Sequence, residues 1–269
     1  MTRLCRCYGV TRPGYYAWRQ RPASRHQEQD RILCERITAI FTASRGTYGS
    51  PRVHQALRHG GQRVSRRRVE RLMRAGGLRG RVARVYRRKA GTHRWFSQHP
   101  NHVRWTRATG PNQIWVGDLT YLRVARRWWY LATVLDQYSR RVLAWRLGTV
   151  RDARLTGAVV KAALRRRRPT VGLIFHSDRG SEYLGAAFRH NLAARGVRQS
   201  MTRGGAPGEN AHIESFFHSF KADVIQGCWF RTVGELRRQL RWYLPFYNHQ
   251  RLHSALGYQS PVDYERRAA

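Results

Sequence analysis

Apolar positions recur with two different periods along the chain, and the change falls near Pro111. Up to that point the pattern is helical. Thr11 stands where a side-chain oxygen caps a short helix through Tyr16 and Trp18, with Pro13 tolerated in its first turn. Asp30 to Ala43 carries Ile32, Leu33, Ile37, Ile40 and Phe41, close to the stripe of an amphipathic helix. Tyr48-Gly49-Ser50-Pro51 interrupts the chain before another helix begins at Val53 to Leu57, and Gly60-Gly61 ends it. Ser65 caps a helix from Arg66 to Ala75, which Gly76-Gly77 stops. Val69, Leu72 and Met73 share one of its faces, while Arg67, Arg68, Arg71 and Arg74 lie largely elsewhere. Two short helices around a tight turn, the second rich in arginine, have the form of a helix-turn-helix laid against DNA, or of a plain helical bundle with a solvated charged face.

Beyond Pro111 the runs become β-type. Gln113 to Val124, Trp128 to Leu135 and Val142 to Leu147 read as consecutive strands, the last two joined at Asp136-Gln137-Tyr138-Ser139. A helix over Ala153 to Arg167 follows, then a buried strand over Val171 to Phe175 and a helix over Leu184 to Arg195. A short strand from Val197 to Met201 precedes helices at Asn210 to Val224 and Val233 to Tyr247. Three meandering strands followed by alternating helix and strand predict an α/β fold, a mixed sheet with helices on both faces. The predicted organisation is a helical DNA-binding region over 1–90, a basic linker over 91–110 and an α/β core with C-terminal helices over 111–269. Arg81 to Lys89, with Tyr86 available for stacking, suits a linker that crosses a phosphate backbone or a merely soluble connector.

Charge sharpens this picture. The 269 residues hold 52 Lys and Arg against 15 Asp and Glu, a formal net charge of +37. Residues 1–111 carry 26 basic and 4 acidic side chains, and residues 112–269 carry 26 and 11. Such a chain repels itself unless an anionic partner supplies the balance, and nucleic acid is the favoured partner. With 41% hydrophobic residues and nine Trp it can still bury a core, which argues against disorder. Met1 to Asp30 is rich in Arg and has no apolar signal-peptide stretch, and Trp128 to Leu135 is far shorter than the roughly 20 residues of a membrane span. Cys5, Cys7, Cys34 and Cys228 form no C-x-x-C pair, so neither zinc nor a disulfide scaffold is expected. A cytoplasmic protein acting where the DNA lies is the expectation.

Acids are scarce, so their placement is informative. Asp118 sits inside Ile-Trp-Val-Gly-Asp-Leu-Thr-Tyr-Leu, where a lone carboxylate is costly unless hydrogen-bonded, paired or bound to a cation. Asp178 ends a strand in Phe-His-Ser-Asp-Arg-Gly, and strand ends of this kind are where α/β sheets build sites. Glu214 belongs to a helix whose phase places Asn210, Glu214, His218 and Lys221 within about 80° of one another. Ile213, Phe216, Phe217, Phe220 and Val224 fall on its other side. Asp136 reads as a turn or ion-pair residue, Glu182 as closing the turn after Asp178, and His176 as positioning Asp178, touching DNA or packing.

Asp118, Asp178, then 35 intervening residues and Glu214 resemble the D,D(35)E signature of retroviral integrases and bacterial transposases with an RNase H-like fold. The surrounding words are more specific. Trp115-Val-Gly-Asp118-Leu-Thr-Tyr, Asp136-Gln-Tyr-Ser-Arg140, His176-Ser-Asp-Arg-Gly180, Asn210-Ala-His-Ile-Glu214-Ser-Phe-Phe and Tyr247-Asn-His-Gln-Arg-Leu-His253 are similar to the second reading frame (OrfB) of IS3-family insertion sequences. Tyr15-Tyr-Ala-Trp18, Thr47-Tyr-Gly49 and Arg71-Leu-Met-Arg-Ala-Gly-Gly-Leu78 extend the likeness through the first part.

The resemblance implies a retroviral-integrase-type mixed sheet flanked by helices, preceded by a small all-α helix-turn-helix region. It implies that Asp118, Asp178 and Glu214 bind two Mg²⁺ ions (Mn²⁺ as a substitute), with Asp118 bridging both. One site would then cut a DNA end and join the freed 3′-hydroxyl to another phosphodiester, with no covalent protein–DNA intermediate. Lys221 is similar to the family's basic residue seven positions after the Glu. Expected DNA contacts are Lys221, His218, Asn210, Arg179, His176, Arg251 and the helical Arg67, Arg68, Arg71 and Arg74. Circular transposon intermediates and a homo-oligomer that pairs both DNA ends are also implied. Two departures stand out. Glu209-Asn210-Ala211 replaces the family's usual Asp-Asn-Ala. Arg3 to Trp18 looks like the end of a helix-turn-helix whose beginning and leucine zipper belong to an upstream frame (OrfA), fused or associated. The competing readings are a catalytically inactive DNA-binding regulator of transposition and an RNase H-like nuclease or resolvase.

Overall fold

A computed structural model describes residues 1–22, 24–81, 100–203 and 207–268. The chain forms two compact units, Met1–Gly80 and Arg81–Ala269. Most of the Arg81 to Lys89 stretch, and the first part of the expected linker, lie outside the described residues.

The first unit is all helical: α1 (Thr2–Cys7), α2 (Arg12–Gln20), α3 (Arg25–Ala43), α4 (Ser50–His59) and α5 (Arg66–Ala75). Thr11 Oγ1 accepts from the Gly14 N–H at 3.2 Å and starts α2. Ser65 Oγ does the same for α5, accepting from Arg68 N. Helix α3 begins five residues before Asp30, because Ser24 and Gln27 form a reciprocal capping box that no apolar period announces. Its buried residues are Leu33 and Ile37, whereas Ile32 is exposed. These pack with Val53 and Leu57 of α4 and Val69, Leu72 and Met73 of α5. Helix α1 carries no strong apolar stripe and escapes a reading by period.

The second unit is built on a five-stranded sheet ordered β3-β2-β1-β4-β5. Its strands are β1 (Ile114–Val124), β2 (Arg127–Asp136), β3 (Val142–Gly148), β4 (Ile174–Ser177) and β5 (Arg198–Met201). The first three run antiparallel, and β4 and β5 join β1 in parallel. Ala125 and Arg126 link β1 to β2 with left-handed φ of 46° and 67°, the two-residue turn whose twist matches the strands. Val171 is exposed and Gly172 turns with φ 100°, so β4 starts at Ile174 rather than Val171. Gly185 divides the expected Leu184 to Arg195 helix into α7 (Ser181–Leu184) and α8 (Ala186–Ala193).

Strand alternation sorts the core into two faces. Trp115, Leu119, Ala132, Val134 and Phe175 pack with Val159, Val160 and Ala163 of α6 (Ala153–Arg167) and Phe188 and Leu192 of α8. Positions of the other parity, among them Val116, Asp118, Leu122, Leu131 and Leu135, are left for the opposite face. There α9 (Ala211–Phe220) packs on β1, and α10 (Val233–His249) meets β3. Phe216 meets Tyr247 at 5.0 Å and Phe220 meets Tyr243 at 5.5 Å, so an aromatic layer joins the two helices. The expected helix from Asn210 to Val224 is interrupted: a 3-10 turn precedes α9 and a π-type turn over Lys221–Ile225 follows it. A final helix, α11 (Pro261–Ala268), closes on the β2–β3 turn. No helix among the described residues is long and apolar enough to cross a membrane.

Candidate active site

The centre of the sheet explains where the first carboxylate sits. Gly117 has no side chain because the Phe175 ring of β4 passes 2.3 Å from where a Cβ would stand. That close approach brings β4 against β1 in the register Val116↔His176 and Gly117↔Ser177. Asp118 follows Gly117 on β1 and Asp178 follows Ser177 just past the end of β4, so the register brings the two positions to the same place in the sheet. Asp118 is buried and takes a bond from Leu119 N at 2.7 Å. Asp178 is partly exposed and takes one from Gly180 N at 3.1 Å.

Helix α9 is held along β1 at two points. Asn210 Nδ2 donates to Gly117 O at 3.5 Å, and Lys221 Nζ lies 4.9 Å from the centre of the Tyr121 ring. Glu214 is one turn beyond Asn210, between the two anchors and on the helix that covers the Asp118 face. The donor set is therefore three carboxylates, hard oxygen ligands of the kind a Mg²⁺-like cation prefers. Among the described residues no three His, Cys, Asp or Glu side chains close into a ready metal cage, so the carboxylates share one region of the sheet without forming a finished cluster.

Basic and phenolic groups surround the aspartates. Arg151 Nη2 pairs with the buried Glu182 at 2.9 Å. Burial alone would lower its pKa, but Glu182 and then Asp178 and Asp118 raise it. Burial pushes the Tyr183 hydroxyl well above its ordinary range, and the charges of Asp118, Asp178 and Glu182 push the same way. Glu182, expected to close the turn after Asp178, lies directly against Gly180 and gives its carboxylate to Arg151. Arg151 and Tyr183 carry no sequence signal of their own; only the fold brings them here.

The other expected contacts divide by burial. His218 on α9 and Arg67 and Arg74 on α5 are exposed. Arg179 is half-buried and donates to Thr202 O at 2.6 Å. Arg68 and Arg71 both reach Asp30 of α3, at 2.7 and 2.6 Å, and so hold the helices of the first unit together. Asn210 is buried against Gly117. His176 and Arg251 correct the sequence reading, since both are enclosed and present no surface to a phosphate. His176 is fully buried, shares a 2.9 Å bond with Ser200 Oγ, and is held neutral by burial with a pKa of about 4. Arg251 pairs with the buried Asp223 at 2.9 Å. Burial disfavours its charge, but Tyr243, Asp223 and Tyr247 hold it and raise its pKa. Glu209, at the departure from the family pattern, takes Arg203 N, Arg203 Nε and Asn101 Nδ2, each at 2.7 Å.

A model described as "Integrase core domain" matches residues 108–207, and a second model of the same description matches 195–261. An "HTH-like domain" model matches 27–88. The chain is 36% identical over 267 residues to the "Insertion element IS600 uncharacterized 31 kDa protein" of Shigella sonnei, covering 98% of each. It is 35% identical over 268 residues to the "Transposase InsF for insertion sequence IS3A" of Escherichia coli (strain K12), covering 98% of this chain and 93% of that one. The "Transposase for insertion sequence element IS904" of Lactococcus lactis is 33% identical, over 91% of this chain and 98% of its own length. Among solved structures, a chain of the simian T-cell lymphotropic virus intasome in complex with the PP2A regulatory subunit B56 gamma superposes with a TM-score of 0.50 at 14% identity, covering 85% of this chain and 74% of that one. The fold is the RNase H-like one of retroviral integrase cores.

Proposed function

The chain belongs to the IS3-family insertion-sequence transposases, enzymes of the integrase-core class, and we propose that it cuts DNA 3′ ends and transfers them through Asp118, Asp178 and Glu214. The register Gly117↔Ser177, which pairs Asp118 with Asp178 under the helix that bears Glu214, is the observation that carries this reading. The three carboxylates would hold two divalent cations, Mg²⁺ in the cell and Mn²⁺ as a substitute. When bound, those ions would activate water for cutting and the freed 3′-hydroxyl for joining, and would stabilise the leaving 3′-oxygen of each in-line displacement.

The chain's own residues do the rest. Lys221, seven positions beyond Glu214 and fixed against Tyr121, holds a phosphate beside the carboxylates. His218 and Arg179 extend the basic rim, and Arg151 offsets the charge of two adjacent aspartates. Asn210 and His176 position α9 and β4 from inside the fold. The helical unit, through the exposed Arg67 and Arg74, binds duplex DNA at the element's ends. In this reading the protein works in the cytoplasm as a multimer that pairs two ends, alone or with an upstream-frame product.

The test is strand joining on labelled duplex carrying the element's terminal repeats, with and without Mg²⁺. Wild type is expected to give metal-dependent joined products. Asp118→Asn and Glu214→Gln should lower that rate on the order of a thousandfold, about 4 kcal/mol of barrier, with duplex affinity nearly intact. Cleavage by Glu214→Gln at the wild-type rate would remove it from the catalytic set. If wild type and variants bind equally but none cuts, adding the upstream-frame fusion to the same assay separates a chain that needs that segment, which then joins, from a DNA-binding regulator, which still does not.

A further inference from the structure

A cavity of about 560 Å³ opens in the second unit, between the segment 101–108, the β2–β3 turn, the start of α9 and the chain around 255–264. Its wall carries Arg104, Arg107 and Arg140. Its one acid is Glu209, already neutralised by Arg203 and bonded to Asn101. Among the described residues none of these three arginines has a carboxylate partner. Arg104 stacks 4.5 Å over Trp105.

The fold commits several buried bonds to presenting Arg140. Asp136, fully buried, accepts from the N–H groups of Asn112, Tyr138 and Ser139. Glu265 of α11 accepts from Ser139 Oγ at 2.8 Å and from Arg141 and Arg167. The turn so clamped holds Arg140 in the left-handed region at φ 63°, an uncommon conformation for a residue with a side chain. Its guanidinium is half-buried, and burial lowers its pKa. A partly dehydrated cation with no anion beside it, in a chain of net charge +37, is a site for an anion supplied from outside. Tyr138 and Tyr264 add aromatic walls, and Nδ1 of His212 points to no protein partner.

We propose that this cavity seats a backbone phosphate of the bound DNA other than the one being cut. The proposal rests on the DNA-transfer reading above. His212 and Glu214 are two positions apart on α9, so about 200° of helix rotation puts the cavity and the catalytic carboxylate on opposite sides of the helix. DNA engaged at both would clasp α9 near its start. The size lies within the roughly 300–1,000 Å³ of small-ligand sites, room for one nucleotide unit.

The test is anisotropy titration of a short labelled duplex with the full chain, in EDTA, between about 50 and 200 mM salt. Arg104→Glu with Arg107→Glu alters two exposed side chains and leaves the fold alone; Arg140→Gln tests the clamped residue separately. The control, Arg165→Glu with Arg237→Glu, makes the same charge change on exposed positions of α6 and α10. If the cavity holds a phosphate, Arg104→Glu/Arg107→Glu weakens binding about tenfold more than the control, and the salt slope falls by about 0.9 for each phosphate no longer neutralised. Arg140→Gln lowers the slope in the same direction. Equal weakening by cavity and control variants overturns the proposal. So does unchanged DNA binding together with a loss of self-association in light scattering, which would make the cavity a seat for an acidic segment of a second copy. With Mg²⁺ and saturating DNA the cavity variants still cut, whereas Glu214→Gln binds and does not. Failure of that second contrast would overturn the active-site reading and leave the phosphate site standing.

Discussion

Two groups of acidic side chains in the second unit are treated in opposite ways. Behind α10 and against the β2–β3 corner, Asp223 and Glu265 are enclosed by side-chain cations and hydroxyls. Asp223 takes Tyr243 Oη and Arg251 Nε, both at 2.9 Å, and Glu265 takes Ser139, Arg141 and Arg167. At the centre of the sheet, Asp118 and Asp178 instead receive backbone N–H groups from within two residues of themselves, at Leu119 and Gly180. The first arrangement fixes the carboxylate's direction and uses its charge internally. The second orients one oxygen through the local backbone, beside Arg151.

The contrast can be broken from the structural side. Asp223→Ala strands the Arg251 guanidinium in the interior, and a loss of about 3–5 kcal/mol is expected in urea unfolding. Arg251→Met in the same background should restore much of it, while Arg251→Met alone leaves Asp223 stranded instead. Full stability of Asp223→Ala would show that the pair is not what holds this region. A smaller effect is expected at the other corner. Glu265→Ala removes the acceptor shared by Ser139, Arg141 and Arg167 at the edge of the fold, and about 1–3 kcal/mol of stability should go with it. Joining activity at saturating DNA should persist, because no catalytic carboxylate moves. A fall in activity in proportion to stability would tie the corner to the active site.

The smallest effect belongs to the helical unit. Hydrogen bonds from Arg71 and then Arg68 hold the Asp30 carboxyl below its ordinary range. With its folded pKa lower than its unfolded one, Asp30 contributes stability that is complete above about pH 4 and is lost as pH falls through the folded value. The melting temperature of wild type should therefore fall more between about pH 5 and pH 3 than that of Asp30→Asn. Parallel curves would show that the Arg68 and Arg71 contacts do not persist in solution.

Period and capping made much of the fold legible. The α6 and α5 bounds, the three-strand meander and the β5 strand follow from alternation, stripes and Ser or Asp at helix starts. The misplaced edges have physical causes. A polar capping box extends α3 beyond its apolar stripe, and a glycine at φ 100° delays β4. A π-type turn ends α9 because tertiary packing, not local pattern, sets the phase after Phe220. Asp118 was conspicuous because an isolated acid in an apolar strand is costly, and Asp178 and Glu214 were joined to it by their spacing and the resemblance that spacing carries.

What sequence alone determined, then, is the alternation that makes the sheet, the charge that demands an anionic partner, and the identity and spacing of three acids. Only tertiary structure decided which arginines remain available for that partner. Arg68, Arg71 and Arg251 look like Arg67 and Arg74 in the sequence, but they are held by Asp30 and Asp223. Arg140 and Arg151 gain their settings from a clamped turn and a neighbouring helix. A guanidinium's role depends on which carboxylate the fold brings within about 4 Å, and such contacts join residues far apart in the chain.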